Sequence, residues 1–278
     1  MDILVEMLSF DFILRALFVG ILVSLCASLL GASLVLKRYS MIGDGLSHVG
    51  YGALAVAAAL NIAPLQLAIP VVIISAFFLL KLNRNSKIKG DALIAVISCS
   101  ALSIGMIVVS VFEVSIDVNS YMFGSILALQ SEDVILSVIS SLAVIVLYVV
   151  FYNKIFAVTF DESFSKATGI KTDIYNALIA LLTAVVIVVG MRLMGALLIS
   201  GLVIFPSLSA MRICKSYRGV TVFSVIISIV CFVVGLGITF YLPVPTGACI
   251  VVTNLAAFLA CTVAGKARAL IVTADKRE

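Results

Sequence analysis

The chain has one histidine, no tryptophan and five prolines among 278 residues. A lone imidazole rules out a histidine-rich metal cage and leaves a single imidazole for any catalytic set. Charge is also scarce. Asp, Glu, Lys and Arg make up 12% of the sequence, about half the share in a soluble domain. No GxxxxGK[ST] stretch occurs, so the chain carries no P-loop cradle for ATP phosphates. Gly-x-Ser-x-Gly, HExxH and a Ser/His/Asp set are missing too, which leaves enzymatic readings little to stand on. Cys26, Cys99, Cys214, Cys231, Cys249 and Cys261 form no CxxC and lie scattered through apolar stretches. They read as small packing residues rather than thiolate ligands or a disulfide framework.

What is present is apolar surface. The hydrophobic share is 63% and the mean hydropathy is +1.30, more than a soluble fold can hide from water. A bilayer core needs roughly 20 helical residues per crossing. Stretches of that kind fall at 13–36, 44–60, 64–81, 91–111, 134–152, 173–190, 193–211, 220–241 and 247–264. The expectation is an all-α integral membrane protein, a polytopic bundle of about nine transmembrane helices (eight to ten), forming one transmembrane domain over 1–278. The first apolar run is long enough to span, and the acidic start (Asp2, Glu6, Asp11) lacks the basic n-region of a cleavable signal.

Basic residues set the expected orientation, because loops rich in Lys and Arg stay in the cytoplasm. With the N-terminus outside and the C-terminus inside, all of the 18 except Arg15 and Arg192 fall in or beside cytoplasmic segments. The net charge of +4 is then a topology signal with a contact to anionic lipid headgroups, and nothing calls for nucleic acid.

Residues 41–52 read Met-Ile-Gly-Asp-Gly-Leu-Ser-His-Val-Gly-Tyr-Gly. Asp44 and His48 are one helical turn apart, which stacks them on one face. An acid and an imidazole inside a membrane helix mark an ion pathway and can ligate a divalent metal. Ser47 and Tyr51 read as translocation-path neighbours that extend the same polar face. A plainer role stays open, in which Asp44 caps the helix and His48 bonds a neighbouring one.

Residues 159–170 read Thr-Phe-Asp-Glu-Ser-Phe-Ser-Lys-Ala-Thr-Gly-Ile. Thr159 with Glu162 fits a capping box and Gly169 a helix stop, so a short cytoplasmic helix is expected. Its apolar side, with Phe160, Phe164 and Ala167, requires a cover, either a partner protein or the membrane domain itself. Pro206, inside an apolar stretch, predicts a helix kink. The outer stretch 121–130 is apolar but too short to span, and is expected to lie on the outer surface or dip partway in. Asp117, Glu132 and Asp133 flank it.

Five blocks carry a family likeness: 41–48 (MIGDGLSH), 121–133 (YMFGSILALQSED), 160–170 (FDESFSKATGI), 189–212 (VGMRLMGALLISGLVIFPSLSAMR) and 245–252 (PTGACIVV). In these the chain resembles the permease subunit of the ATP-binding-cassette importers that take up zinc, manganese or iron(II) in bacteria. The resemblance implies a fold of the vitamin B12 and siderophore importer type. Its implied partners are a second copy of the chain, a cytoplasmic cassette ATPase that binds the ATP, and an extracytoplasmic metal-binding lipoprotein. It implies the bacterial cytoplasmic membrane as location and no permanently bound cofactor, only the transported ion. Asp161, Glu162, Ala167 and Gly169 would then belong to the helix that couples to the ATPase, and Phe164 stands on its apolar side. Asp44 and His48 would match the acid and imidazole of the translocation path. Gly201 and Ala248 depart from the common pattern, and no histidine-rich loop is present.

Two rivals remain at this level. A proton-coupled secondary transporter can use the same Asp44 and His48 without an ATPase. A membrane scaffold without transport predicts that substituting them changes nothing.

Overall fold

The computed structural model describes residues 10–85, 90–113, 124, 131–242 and 244–275. These form eleven helices, and no strand occurs among the described residues. In chain order they are α1 (Asp11–Leu36), α2 (Ile42–Ala59), α3 (Pro64–Asn85), α4 (Gly90–Val111), α5 (Ser131–Val150), α6 (Tyr152–Phe160), α7 (Glu162–Ala167), α8 (Thr172–Met194), α9 (Ala196–Ile213), α10 (Tyr217–Tyr241) and α11 (Thr246–Asp275). The all-helical expectation holds, and each stretch expected to span is a helix.

The number of crossings is a separate matter. Six helices are long and apolar enough to cross a membrane, namely α1, α4, α8, α9, α10 and α11. The pair α5 and α6, bent by 70°, adds a seventh if it is one span. The expected count of about nine is therefore not reached on length and composition among the described residues. α2 has the length, but Asp44, His48 and four glycines dilute its apolarity. α3 offers a shorter apolar stretch, Gln66–Leu79. Asp117 and the stretch 121–130 apart from Gly124 lie outside the described residues.

Burial divides the helices into an inner and an outer set. α1 and α8 are mostly buried, whereas α4 and α11 bury little of themselves. The outer faces carry Val96, Ile104 and Ile107 on α4 and Ile135, Ile139 and Leu142 on α5. Such faces suit lipid, because tails solvate apolar side chains as well as protein does. Inside, hydroxyls link helices where apolar contact supplies little drive. Ser228 Oγ donates to the Ser24 carbonyl at 3.1 Å and Ser224 Oγ to the Ser28 carbonyl at 3.3 Å, joining α10 to α1. Ser207 of α9 meets Ser224 at 3.2 Å, so three helices share this seam.

The bend between α5 and α6 rests on aromatic packing. Tyr217 at the start of α10 lies 5.7 Å from the Tyr152 ring and 5.0 Å from that of Phe156, centroid to centroid. Its hydroxyl meets Ser33 at 2.7 Å and Tyr148 at 3.0 Å, which ties α1, α5 and α10 together.

Candidate functional site

α2 is encased on three sides. A Cβ at Gly52 would come within 2.7 Å of the Ala101 carbonyl oxygen of α4, so only glycine allows the two backbones this approach. Met191 of α8 fills the space beside Gly50, and Ser200 of α9 lies beside Gly43. Asp44 and His48 lie where the helix keeps accessible surface.

Asp44 Oδ2 and His48 Nε2 are 3.5 Å apart, with 45% and 22% of the respective side chains exposed. The separation is at the outer limit of a hydrogen bond. The other ring nitrogen, Nδ1, is buried and has no hydrogen-bond partner. Of the two ring nitrogens, only Nε2 faces a polar partner, the Asp44 carboxylate.

Ser47 and Tyr51 do not share that opening. Ser47 is fully buried and donates its hydroxyl to the Gly43 carbonyl at 2.8 Å, within α2. Tyr51, 1% exposed, points its hydroxyl at Met106 Sδ of α4 at 3.1 Å. These two pack α2 against its neighbours, while Asp44 and His48 remain accessible. Among the described residues no cluster of three or more His, Cys, Asp and Glu side chains could hold a metal. Asp44 and His48 are two side chains of metal-ligating type, fewer than the four of a closed zinc site.

α7 has six residues, and its cap is Asp161, not Thr159. The Asp161 carboxylate accepts from the Phe164 amide at 2.9 Å, satisfying one of the free N–H groups of the first turn. Thr159 lies in α6, buried, with its hydroxyl lacking a partner. The far end closes as foreseen. Gly169 has φ +83°, its amide bonds the Lys166 carbonyl at 3.0 Å, and the Ile170 amide bonds the Ser165 carbonyl at 2.9 Å. This is a Schellman closure with glycine at the left-handed position.

Phe160 and Phe164 are 71% and 66% exposed, and Ala167 is exposed with them. The apolar side of α7 consequently points away from the bundle. Glu162 behaves otherwise and pairs with Lys166 at 3.1 Å. Burial raises its carboxyl pKa, but hydrogen bonds from Lys166 and Asn176 and the charges of Lys37 and Lys166 outweigh this and hold it below the ordinary value.

Pro206 sits buried inside α9, which continues to Ile213. Ser209 bonds back to the Phe205 carbonyl at 2.7 Å, whereas Ser207 turns to α10. Gly124 lies against the backbone of Met194 and Gly195, where α8 passes into α9. Gly195 has φ +89°, a conformation that lets the chain turn between the two helices.

Residues 9–265 match the model of the ABC 3 transport family. A probable iron transport system membrane protein of Haemophilus influenzae is 28% identical, with 93% of this chain and 92% of that protein aligned. The manganese import system permease protein ScaB of Streptococcus gordonii is 29% identical over 90% of each. The high-affinity zinc uptake system membrane protein ZnuB of Haemophilus influenzae is 26% identical over 90% of this chain and 96% of its own length. Among solved structures, PsaBC from Streptococcus pneumoniae in complex with Fab superposes with a TM-score of 0.82 at 28% identity, covering 94% of both chains. A metal-chelate type ABC transporter in an inward-facing conformation shares the fold, with a TM-score of 0.70 over 90% of this chain and 85% of that one at 12% identity.

Proposed function

We propose, from the premise that this chain belongs to the ABC 3 transport family, that it is the permease subunit of an ATP-driven importer of zinc, manganese or iron(II). The observation that carries the reading is the Asp44 and His48 pair, accessible and 3.5 Å apart on a helix whose polar neighbours Ser47 and Tyr51 are buried. In a homodimer two such pairs face a common axis and supply two carboxylates and two imidazoles. That set replaces part of the hydration shell of a dication, and suits zinc, manganese or iron(II) alike. Binding is brief, since a deep well would stall conduction.

The nine long helices are the crossings, α2 and α3 included, with the N-terminus outside and the C-terminus cytoplasmic in a bacterial plasma membrane. The whole of 1–278 acts as one permease domain. ATP is bound and hydrolysed on a separate cassette ATPase, which α7 and the residues flanking it engage through Asp161, Glu162, Phe164, Ala167 and Gly169. An extracytoplasmic lipoprotein delivers the ion and contributes to metal choice. ATP binding moves α7 and switches the cavity from one side of the membrane to the other. Pro206 leaves α9 one backbone bond short and makes it the helix that bends in the switch.

Co-purification tests this reading. A cassette ATPase retained with the chain, and ATP-dependent metal uptake by the pair in vesicles, are the expected results. Metal movement by the chain alone in ATP-free vesicles would instead establish a secondary transporter.

A further inference from the structure

One side chain joins three helix ends on the side of the bundle where α7 lies. Lys37, the C-cap of α1, donates from Nζ to the Asn176 Oδ1 of α8. Asn176 is 8% exposed. Its amide also bonds Glu162, the first residue of α7, which Lys166 holds at 3.1 Å. A carboxamide offers an acceptor at one end and donors at the other, so a single orientation serves ammonium and carboxylate together.

Lys37 is also close to α2 along the chain. Four residues separate it from Ile42, and they are braced by the Tyr39 amide on the Leu34 carbonyl at 2.9 Å and the Ile42 amide on the Tyr39 carbonyl at 3.0 Å. Arg38 in this turn has φ +61°, a conformation that a non-glycine residue holds only when its surroundings fix it. Asp44 follows two residues into α2. Apolar contacts slide over one another at little cost, whereas a buried amide between two charges fixes both distance and direction.

We infer that Lys37, Asn176 and Glu162 form the link through which displacement of α7 reaches the α1–α2 turn and re-aims Asp44 and His48. The link deepens the proposed transport reading and rests on it. Lys37 and Asn176 are positioning residues, since neither touches the ion. Their role is to make movement at α7 and movement at α2 one event.

The test uses the intact permease with its ATPase in proteoliposomes, supplied with Zn2+, Mn2+ or Fe2+ one at a time. Asn176→Leu and Lys37→Met each retain the ATPase and its hydrolysis rate, and lower ions moved per ATP by about fivefold, within the range of known coupling effects. The double variant is no worse than either single one, because both cut the same link. Lys37→Arg keeps the donor and keeps the ratio near wild type. Hydrogen exchange of residues 37–48 changes on ATP and vanadate in wild type and does not change in Asn176→Leu. An unchanged ratio and an unchanged exchange response in the two single variants overturn the link. Loss of the ATPase from Asn176→Leu also overturns it, as it reduces the residue to a structural role. A wild type that moves none of the three ions, yet shows the exchange response that Asn176→Leu loses, defeats the metal reading and leaves the link standing.

Discussion

Asp44 and His48 differ from the polar residues around them in keeping accessible surface, and at the residue scale this separates the proposed ion-pathway pair from its buried neighbours. Spacing alone reads positions 44, 47, 48 and 51 as one stripe, because three- and four-residue steps both return to nearly the same face. The Asp44–His48 pair and the Ser47–Tyr51 pair are offset by about a sixth of a turn. Packing against α4 resolves that sixth into two faces, with Ser47 and Tyr51 on the buried one. The acid and imidazole were therefore legible as a pair, whereas the inward turn of their neighbours depended on α4, which no local pattern records. Lys37 was legible only as a topology charge, and Asn176 carried no motif. The expected consequence is a gradient of effect. Tyr51→Phe gives up one hydroxyl bond to a weak sulfur acceptor and leaves metal uptake within about twofold of wild type. A loss as deep as that of Asp44→Ala would mean that the phenol touches the ion.

At the scale of elements, α2 and α7 are each specified by small features whose effects are separable. The glycine at 52 permits contact with the Ala101 carbonyl, so Gly52→Val must push α2 away from α4. Overpacking of this kind costs roughly 1–3 kcal/mol. Thermal melting of the purified protein should fall, with uptake falling alongside as Asp44 and His48 shift. A melt and an uptake rate equal to wild type would show that the close approach has no importance. For α7 the sequence reading took Thr159, three residues ahead of Glu162, as the cap, and the structure uses Asp161 instead. Thr159 loses because α6 runs on to Phe160, which makes residue 159 helical and frees Asp161 for the extended conformation a cap needs. Asp161→Ala removes a cap worth about 1 kcal/mol. Retention of the ATPase is expected to weaken while the spans stay folded, as measured by the ATPase to permease ratio after purification. An unchanged ratio would place docking elsewhere. Gly169 was readable from its type alone, since few residues adopt φ +83°.

For the whole molecule, hydrophobic runs made all nine long helices visible, because lipid demands continuous apolar backbone-satisfied segments. As a test for membrane crossing, length and apolarity admit six of the helices, or seven spans with the bent α5–α6 pair, among the described residues. α2 fails it through the Asp44, His48 and glycine content that makes the helix of interest. A second copy of the chain was implied by the family resemblance, and the proposed metal path calls for one because no group of three or more His, Cys, Asp and Glu side chains occurs among the described residues. The central claim is that this acid and imidazole conduct a dication under ATP drive, and transport in proteoliposomes holding permease, ATPase and binding protein tests it most directly. Wild type should accumulate zinc, manganese or iron(II) only with ATP, while Asp44→Ala and His48→Ala retain the ATPase and its hydrolysis but accumulate none. Equal accumulation by the substituted and wild-type proteins would contradict the account.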